Sequence, residues 1–200
     1  MIIDSHCHLS LDNNIMDIEN ILNRGYSSGV SKYLNISTKL NDFETLIDIS
    51  NTYDEIFFTL GIHPHEAKET NNNILKIIKN NLNNKKLLGI GETGLDFYYN
   101  HSDKKTQINS LEYHIDLAQE SKLPLIIHMR DAEDDLIRIF TNKMKKSEFT
   151  GVIHCFTGSL KFAMNILEMG FYISASGIIT FKNSENLRNT LKQIPLNRLL

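Results

Sequence analysis

Short, almost continuously apolar runs recur along this chain at residues 1–4, 32–36, 56–62, 87–92, 124–129, 151–156, 171–175 and 197–200. Between them, apolar residues fall three and four apart, as at Ile15, Ile18, Ile21 and Leu22, or Leu111, Ile115, Leu117 and Ala118. The first pattern marks strands covered on both faces and the second marks amphipathic helices. Strands alternating with helices imply a parallel sheet. Two parallel architectures compete, an open doubly wound sheet and a closed (β/α)₈ barrel. No G-x-G-x-x-G follows the first run and no G-x-x-x-x-G-K-[ST] occurs, so the glycine-cradled phosphate site that would support the open sheet is missing. No linker rich in Gly, Pro or Ser interrupts the pattern, and residues 1–200 read as one domain. The Asn/Lys-rich stretch 71–86 reads as a solvated helix.

The polar residues favour the barrel. Of 8 histidines, His6, His8, His63, His65, His128 and His154 fall at or just past the C-terminal ends of expected strands, whereas His101 and His114 do not. A barrel gathers all those ends at one mouth, so side chains distant in sequence converge there. His6 and His8, two apart on an extended strand, point the same way and can chelate one ion, while Cys7 between them points oppositely. Glu92, between glycines at the end of the fourth strand, is the best carboxylate to join them. Asp4 shares their face, as a direct ligand or as a hydrogen-bond partner of one. His128 and His154 are placed for a second ion, with Glu92 as the bridge. Two divalent ions roughly 3.5–4 Å apart form a clamp for in-line displacement at phosphorus. Arg130, two beyond His128, fits a non-bridging phosphate oxygen, or else a salt bridge to Asp131 or Asp134.

Composition excludes several other classes. A net charge of −3 rules out a general polycationic nucleic-acid coat. No apolar run approaches the roughly 20 residues of a membrane span, and no secretory signal is visible, which makes the cytoplasm the expected compartment. Cys7 and Cys155 are the only cysteines. They make no disulfide framework and read as small hydrophobes facing away from the mouth rather than as thiolate ligands. No Ser or Cys nucleophile with a positioned base is evident.

The motifs Asp4-Ser5-His6-Cys7-His8-Leu9, Gly61-Ile62-His63-Pro64-His65, Gly89-Ile90-Gly91-Glu92-Thr93-Gly94-Leu95-Asp96, Pro124-Leu125-Ile126-Ile127-His128-Met129-Arg130-Asp131-Ala132 and His154-Cys155-Phe156-Thr157-Gly158-Ser159 occur in that order. In these residues the chain resembles the TatD family of metal-dependent deoxyribonucleases, within the amidohydrolase-like TIM-barrel hydrolases. The resemblance implies hydrolysis of DNA phosphodiesters, as a 3′→5′ exonuclease on single-stranded ends, with two divalent ions (Mg²⁺, Mn²⁺ or Zn²⁺). It places His6, His8, Glu92, His128 and His154 at metal-ligand positions, Glu92 also being catalytic, and turns His63 and Arg130 toward the substrate phosphate. The family carries a further Asp in a Glu-Thr-Asp-Ser-Pro motif at its eighth strand, where this sequence reaches Leu199-Leu200. The expectation is therefore an incomplete barrel of about seven strands and the start of the eighth, with a second chain as one source of the missing segment. The alternatives are a catalytically impaired remnant, or a metallohydrolase of a small phosphoester or cyclic amide.

Overall fold

The computed structural model describes residues 2–9 and 17–200. Met1 and Ile15, expected in the first strand and first helix, lie outside the described residues. Seven parallel strands pair in chain order: β1 (Ile2–Cys7), β2 (Val30–Ile36), β3 (Ile56–Leu60), β4 (Leu87–Asp96), β5 (Leu125–Arg130), β6 (Gly151–Ile153) and β7 (Tyr172–Ile173). Between them run α1 (Ile18–Ser27), α2 (Phe43–Thr52), α3 (Asn72–Asn81), α4 (Lys104–Ser121), α5 (Glu133–Met144) and α6 (Leu160–Glu168), with α7 (Glu185–Leu191) after β7. The start of an eighth strand is present too. Leu199 bridges Ile173 in parallel, the Leu200 N–H donates to the Ile173 carbonyl at 2.9 Å, and the Ala175 N–H donates to the Leu200 carbonyl at 2.9 Å. The fold is the expected α/β TIM-barrel type, curled and not closed: β1 pairs only with β2 among the described residues.

Local chemistry accounts for the helix boundaries. The Asn71 side chain accepts the N–H groups of Asn73 and Ile74 at the start of α3, Asp103 accepts that of Thr106 in α4, and Ser159 accepts that of Phe162 in α6. The Asn/Lys stretch thus forms a helix, and it buries Ile74 and Ile78 against the sheet while its polar residues stay wet. The core runs continuously from β3 through β7 and is built from Phe58, Leu60, Ile90, Ile127, Phe140, Ile153 and Phe171 among others, all fully buried. Each such side chain stabilises the fold by roughly 1.5–3 kcal/mol.

Strand β4 runs to Asp96, four residues beyond the expected end, because glycines let it press against its neighbours. Gly94 has φ +146°, and a Cβ there would overlap the His128 carbonyl oxygen on β5. Gly170, also at positive φ (+87°), has nothing within 4 Å of a built Cβ. Gly94→Ala is therefore expected to cost at least about 3 kcal/mol, from strain plus overlap, against about 1–2 kcal/mol for Gly170→Ala, which carries the strain alone. Urea midpoints of the two variants check this; equal losses would show that the contact on His128 relaxes freely.

Candidate metal centre

Glu92 lies in the interior of the mouth, 4% exposed, with its N–H donating to the Ser37 carbonyl at 2.9 Å. Ser37 in turn accepts the Gly61 N–H at 2.9 Å through its hydroxyl, so the ends of β2, β3 and β4 are tied around the carboxylate. The two carboxylate oxygens face different imidazoles. Oε2 lies 3.3 Å from His6 Nε2 and 4.0 Å from His8 Nε2, whereas Oε1 lies 3.3 Å from His128 Nδ1 and 3.7 Å from His63 Nε2. Two groups of candidate ligand atoms result, His6/His8/Glu92 and His63/Glu92/His128, each with its atoms within 4.8 Å of one another.

Hydrogen bonds decide what each ring presents. His8 Nδ1 donates to the Ile36 carbonyl at 3.0 Å, which leaves the Nε2 lone pair facing His6 Nε2 across 3.2 Å. His128 Nε2 donates to Asp96 Oδ2 at 3.0 Å, and its Nδ1 lies 3.3 Å from Glu92 Oε1, to which the protonated ring donates a second hydrogen bond. His63 is arranged oppositely. Its Nδ1 accepts the His65 backbone N–H at 3.2 Å, so the neutral ring carries its hydrogen on Nε2 and offers a donor rather than a lone pair. His6 Nδ1 is buried without a hydrogen-bond partner.

The electrostatics agree with a cation site. Burial opposes ionisation of Glu92, but hydrogen bonds from His128 and His6 and the neighbouring His63 outweigh it and hold the carboxyl well below its usual range. Burial pushes His63 and His154 each down to about 3, and lowers His8. These rings are neutral at ordinary pH, the form that coordinates a metal. His128 is the exception: burial pulls it down, but hydrogen bonds to Glu92 and Asp96 raise it overall. Imidazole nitrogens converging from two sides on one buried, ionised carboxylate fit divalent cations.

The other expected residues are placed less uniformly. The His154 ring stacks on His6, centroids 3.3 Å apart and 6° from parallel, and belongs to neither ligand group among the described residues. Arg130 makes no ion pair with Asp131 or Asp134 among the described residues; its guanidinium lies 4.9 Å from the Tyr98 ring centroid. Asp4 accepts the His6 backbone N–H at 3.1 Å and does not reach the imidazoles' ligand groups. Cys7 turns away as expected: its thiol meets the Leu34 carbonyl at 3.4 Å, and burial pushes its pKa up to about 12, so it stays protonated. β6 ends at Ile153 and Cys155 takes φ +45°, so strand alternation does not set its direction; it belongs to neither ligand group among the described residues.

Asp96 and His65 are the residues that sequence reasoning left without a role. Asp96 Oδ2 accepts from both His65 Nε2, at 2.9 Å, and His128 Nε2. The signal was present, since Glu92, Gly94 and Asp96 alternate along one strand and share a face. His114, the buried histidine away from the strand ends, is structural: its Nδ1 donates to the Ser110 carbonyl and its Nε2 accepts the Ile62 N–H. No helix among the described residues is long and apolar enough to cross a membrane.

Comparison with known proteins agrees with this geometry. Residues 3–200 match the family described as TatD related DNase. An uncharacterized metal-dependent hydrolase of Buchnera aphidicola is 40% identical over 208 residues, covering 100% of this chain and 78% of that protein. The 3′-5′ ssDNA/RNA exonuclease TatD of Erwinia tasmaniensis is 30% identical over 186 residues, 92% of this chain and 71% of that protein. The crystal structure of YjjV, a TatD homologue from Escherichia coli, superposes with TM-score 0.90 at 27% identity, covering 100% of this chain and 77% of that one. The chain belongs to the TatD family and is a metal-dependent hydrolase.

Proposed function

We propose that this hydrolase cleaves phosphodiester bonds of nucleic acid, DNA above all, working 3′→5′ from single-stranded ends. One observation carries the reading: the two oxygens of a single buried, ionised carboxylate face two separate imidazole sets. In this proposal His6, His8 and Glu92 hold one divalent ion (Mg²⁺, Mn²⁺ or Zn²⁺). His128 and Glu92 hold a second, with His154 beside them. When bound, such ions supply Lewis acidity toward phosphate and activation of water.

The chain's own groups do the rest. Glu92 stays ionised, so it acts as an anionic bridge and not as a proton donor. Asp96 fixes the His128 ring through Nε2 and thereby keeps Nδ1 aimed inward. His63, its Nδ1 occupied by the His65 amide, directs Nε2–H at a non-bridging phosphate oxygen. Arg130 offers a planar fork of N–H donors beside it. The relative from Erwinia acts on single-stranded DNA and RNA, which supports the same substrate class here.

The test is a purified chain stripped with chelator, reloaded with Mg²⁺, Mn²⁺ or Zn²⁺, and offered end-labelled single-stranded DNA. A ladder shortening from the 3′ end is expected, and it should vanish again with chelator. No cleavage with any of the three ions, alone or with the eighth-strand segment of a longer relative supplied as a second chain, would refute the proposal.

A further inference from the structure

The loop leaving β4 holds two tyrosines in solvent beside the imidazole cluster. Tyr98 is 58% exposed and Tyr99 61% exposed, so neither is a core residue. Large aromatic faces left in water are expected to serve recognition when the backbone holds them still. This backbone is held. Asp96 Oδ1 accepts the N–H of Tyr98 at 3.1 Å and of Tyr99 at 2.9 Å, while Oδ2 of the same carboxylate accepts from His65 and His128. The buried Gln107 receives the Asp96 N–H at 2.7 Å and donates to the Asp96 and Ser102 carbonyls at 2.9 and 2.7 Å. One carboxylate thus fixes both the tyrosine loop and a ring of the candidate metal centre.

The surroundings of the loop specify its ligand. The Tyr98 and Tyr99 rings meet edge to face at 4.8 Å, and Tyr99 lies 5.6 Å from His65, so the aromatic surface continues into the site. Cations flank it on two sides. The Arg130 guanidinium sits 4.9 Å from the Tyr98 ring, and the Lys104 ammonium 4.2 Å from the ring of Phe97, which begins the loop. Fixed π-faces interleaved with positive charge are what a single-stranded nucleic acid requires, since bases stack while phosphates are neutralised, without dependence on base identity. A small phosphoester would leave these faces unused.

We infer that Tyr98 and Tyr99 form a base-stacking platform that seats the nucleobases flanking the phosphodiester at the Glu92 centre; this rests on the phosphodiesterase reading above. The test uses a short oligodeoxynucleotide carrying 2-aminopurine, whose fluorescence falls on stacking, mixed with the protein in chelator and with Mn²⁺. Quenching by the unaltered chain is expected. Tyr98→Ala/Tyr99→Ala should abolish the quenching and weaken binding at least about 10-fold, Tyr98→Phe/Tyr99→Phe should retain both, and an abasic oligonucleotide should bind the unaltered and alanine chains equally. No quenching by the unaltered chain, or undiminished quenching by the alanine variant, would overturn the platform. The two proposals separate cleanly. Quenching without hydrolysis keeps Tyr98 and Tyr99 as a nucleobase-stacking surface and sinks the phosphodiesterase reading. Hydrolysis with an unchanged KM for the alanine variant does the reverse.

Discussion

Glu92→Gln is expected to abolish metal-dependent hydrolysis, lowering the rate at least about 10³-fold. Glutamine has the same size, so the buried site need not collapse; what changes is charge and the chemistry of one terminal atom. The native carboxylate offers an acceptor to His6 and His8 on one side and to His63 and His128 on the other. An amide keeps one acceptor and turns an N–H₂ toward the other set, where a lone pair and a negative charge are required. Metal binding should fail with activity. A cation at a hundred times its dissociation constant stabilises a folded protein by about 2.7 kcal/mol. For a chain of this length that is a rise in Tm of about 5–10 °C. Glu92→Gln should lose most of that rise. A variant that keeps both the metal-induced rise and turnover would remove the basis for a Glu92-bridged centre.

The parts of the site that were legible in the sequence are those that depend on periodicity. Apolar runs located all seven strands, and the strand ends located His6, His8, Glu92 and His128, since parity and position alone bring them to the mouth. What escaped depends on atoms rather than spacing. The expected strand stops at Glu92 because Glu92 and Thr93 break the apolar run, yet Gly91 and Gly94 let β4 continue to Asp96. The contrasting duties of His63 and His128 follow from which ring nitrogen meets the His65 amide or the Asp96 carboxylate. Residue order carries no record of that. β6 and β7 came out shorter than their apolar runs because flanking residues such as Phe156 and Phe171 are buried without pairing as strand. Arg130 was weighed between a phosphate and a salt bridge, and its cation–π contact with Tyr98 emerges only when the loop after β4 is folded back.

The metal-free chain is expected to lose stability steeply on acidification between about pH 6.5 and pH 4. His114 gives the clearest contribution. Burial, only partly offset by its hydrogen bond to the Ser110 carbonyl, pushes its pKa from 6.5 to about 4. The unfolded chain therefore binds a proton in this window that the folded chain refuses, and stability rises with pH there. The contribution is complete above about pH 6.5, declines as pH falls and is exhausted near pH 4, a loss of about 3 kcal/mol. His63 and His154, each pushed to about 3 by burial first of all, act in the same direction. His128 opposes them: its raised pKa gives stability that is present below about pH 6.5 and lost as pH rises through its folded value. With His8, also lowered by burial, four refusing rings outweigh one accepting ring, and about 3 kcal/mol is already a large part of a typical domain's 5–15 kcal/mol. Urea midpoints in chelator at about pH 7.5, 5.5 and 4.5 should fall in that order. His114→Gln retains an acceptor for the Ile62 N–H and a donor for the Ser110 carbonyl, so it should fold at neutral pH and show a slope shallower by about 3 kcal/mol across the window. Midpoints that hold constant or rise on acidification, or a His114→Gln slope equal to that of the unaltered chain, would mean that the buried rings accept protons as readily folded as unfolded.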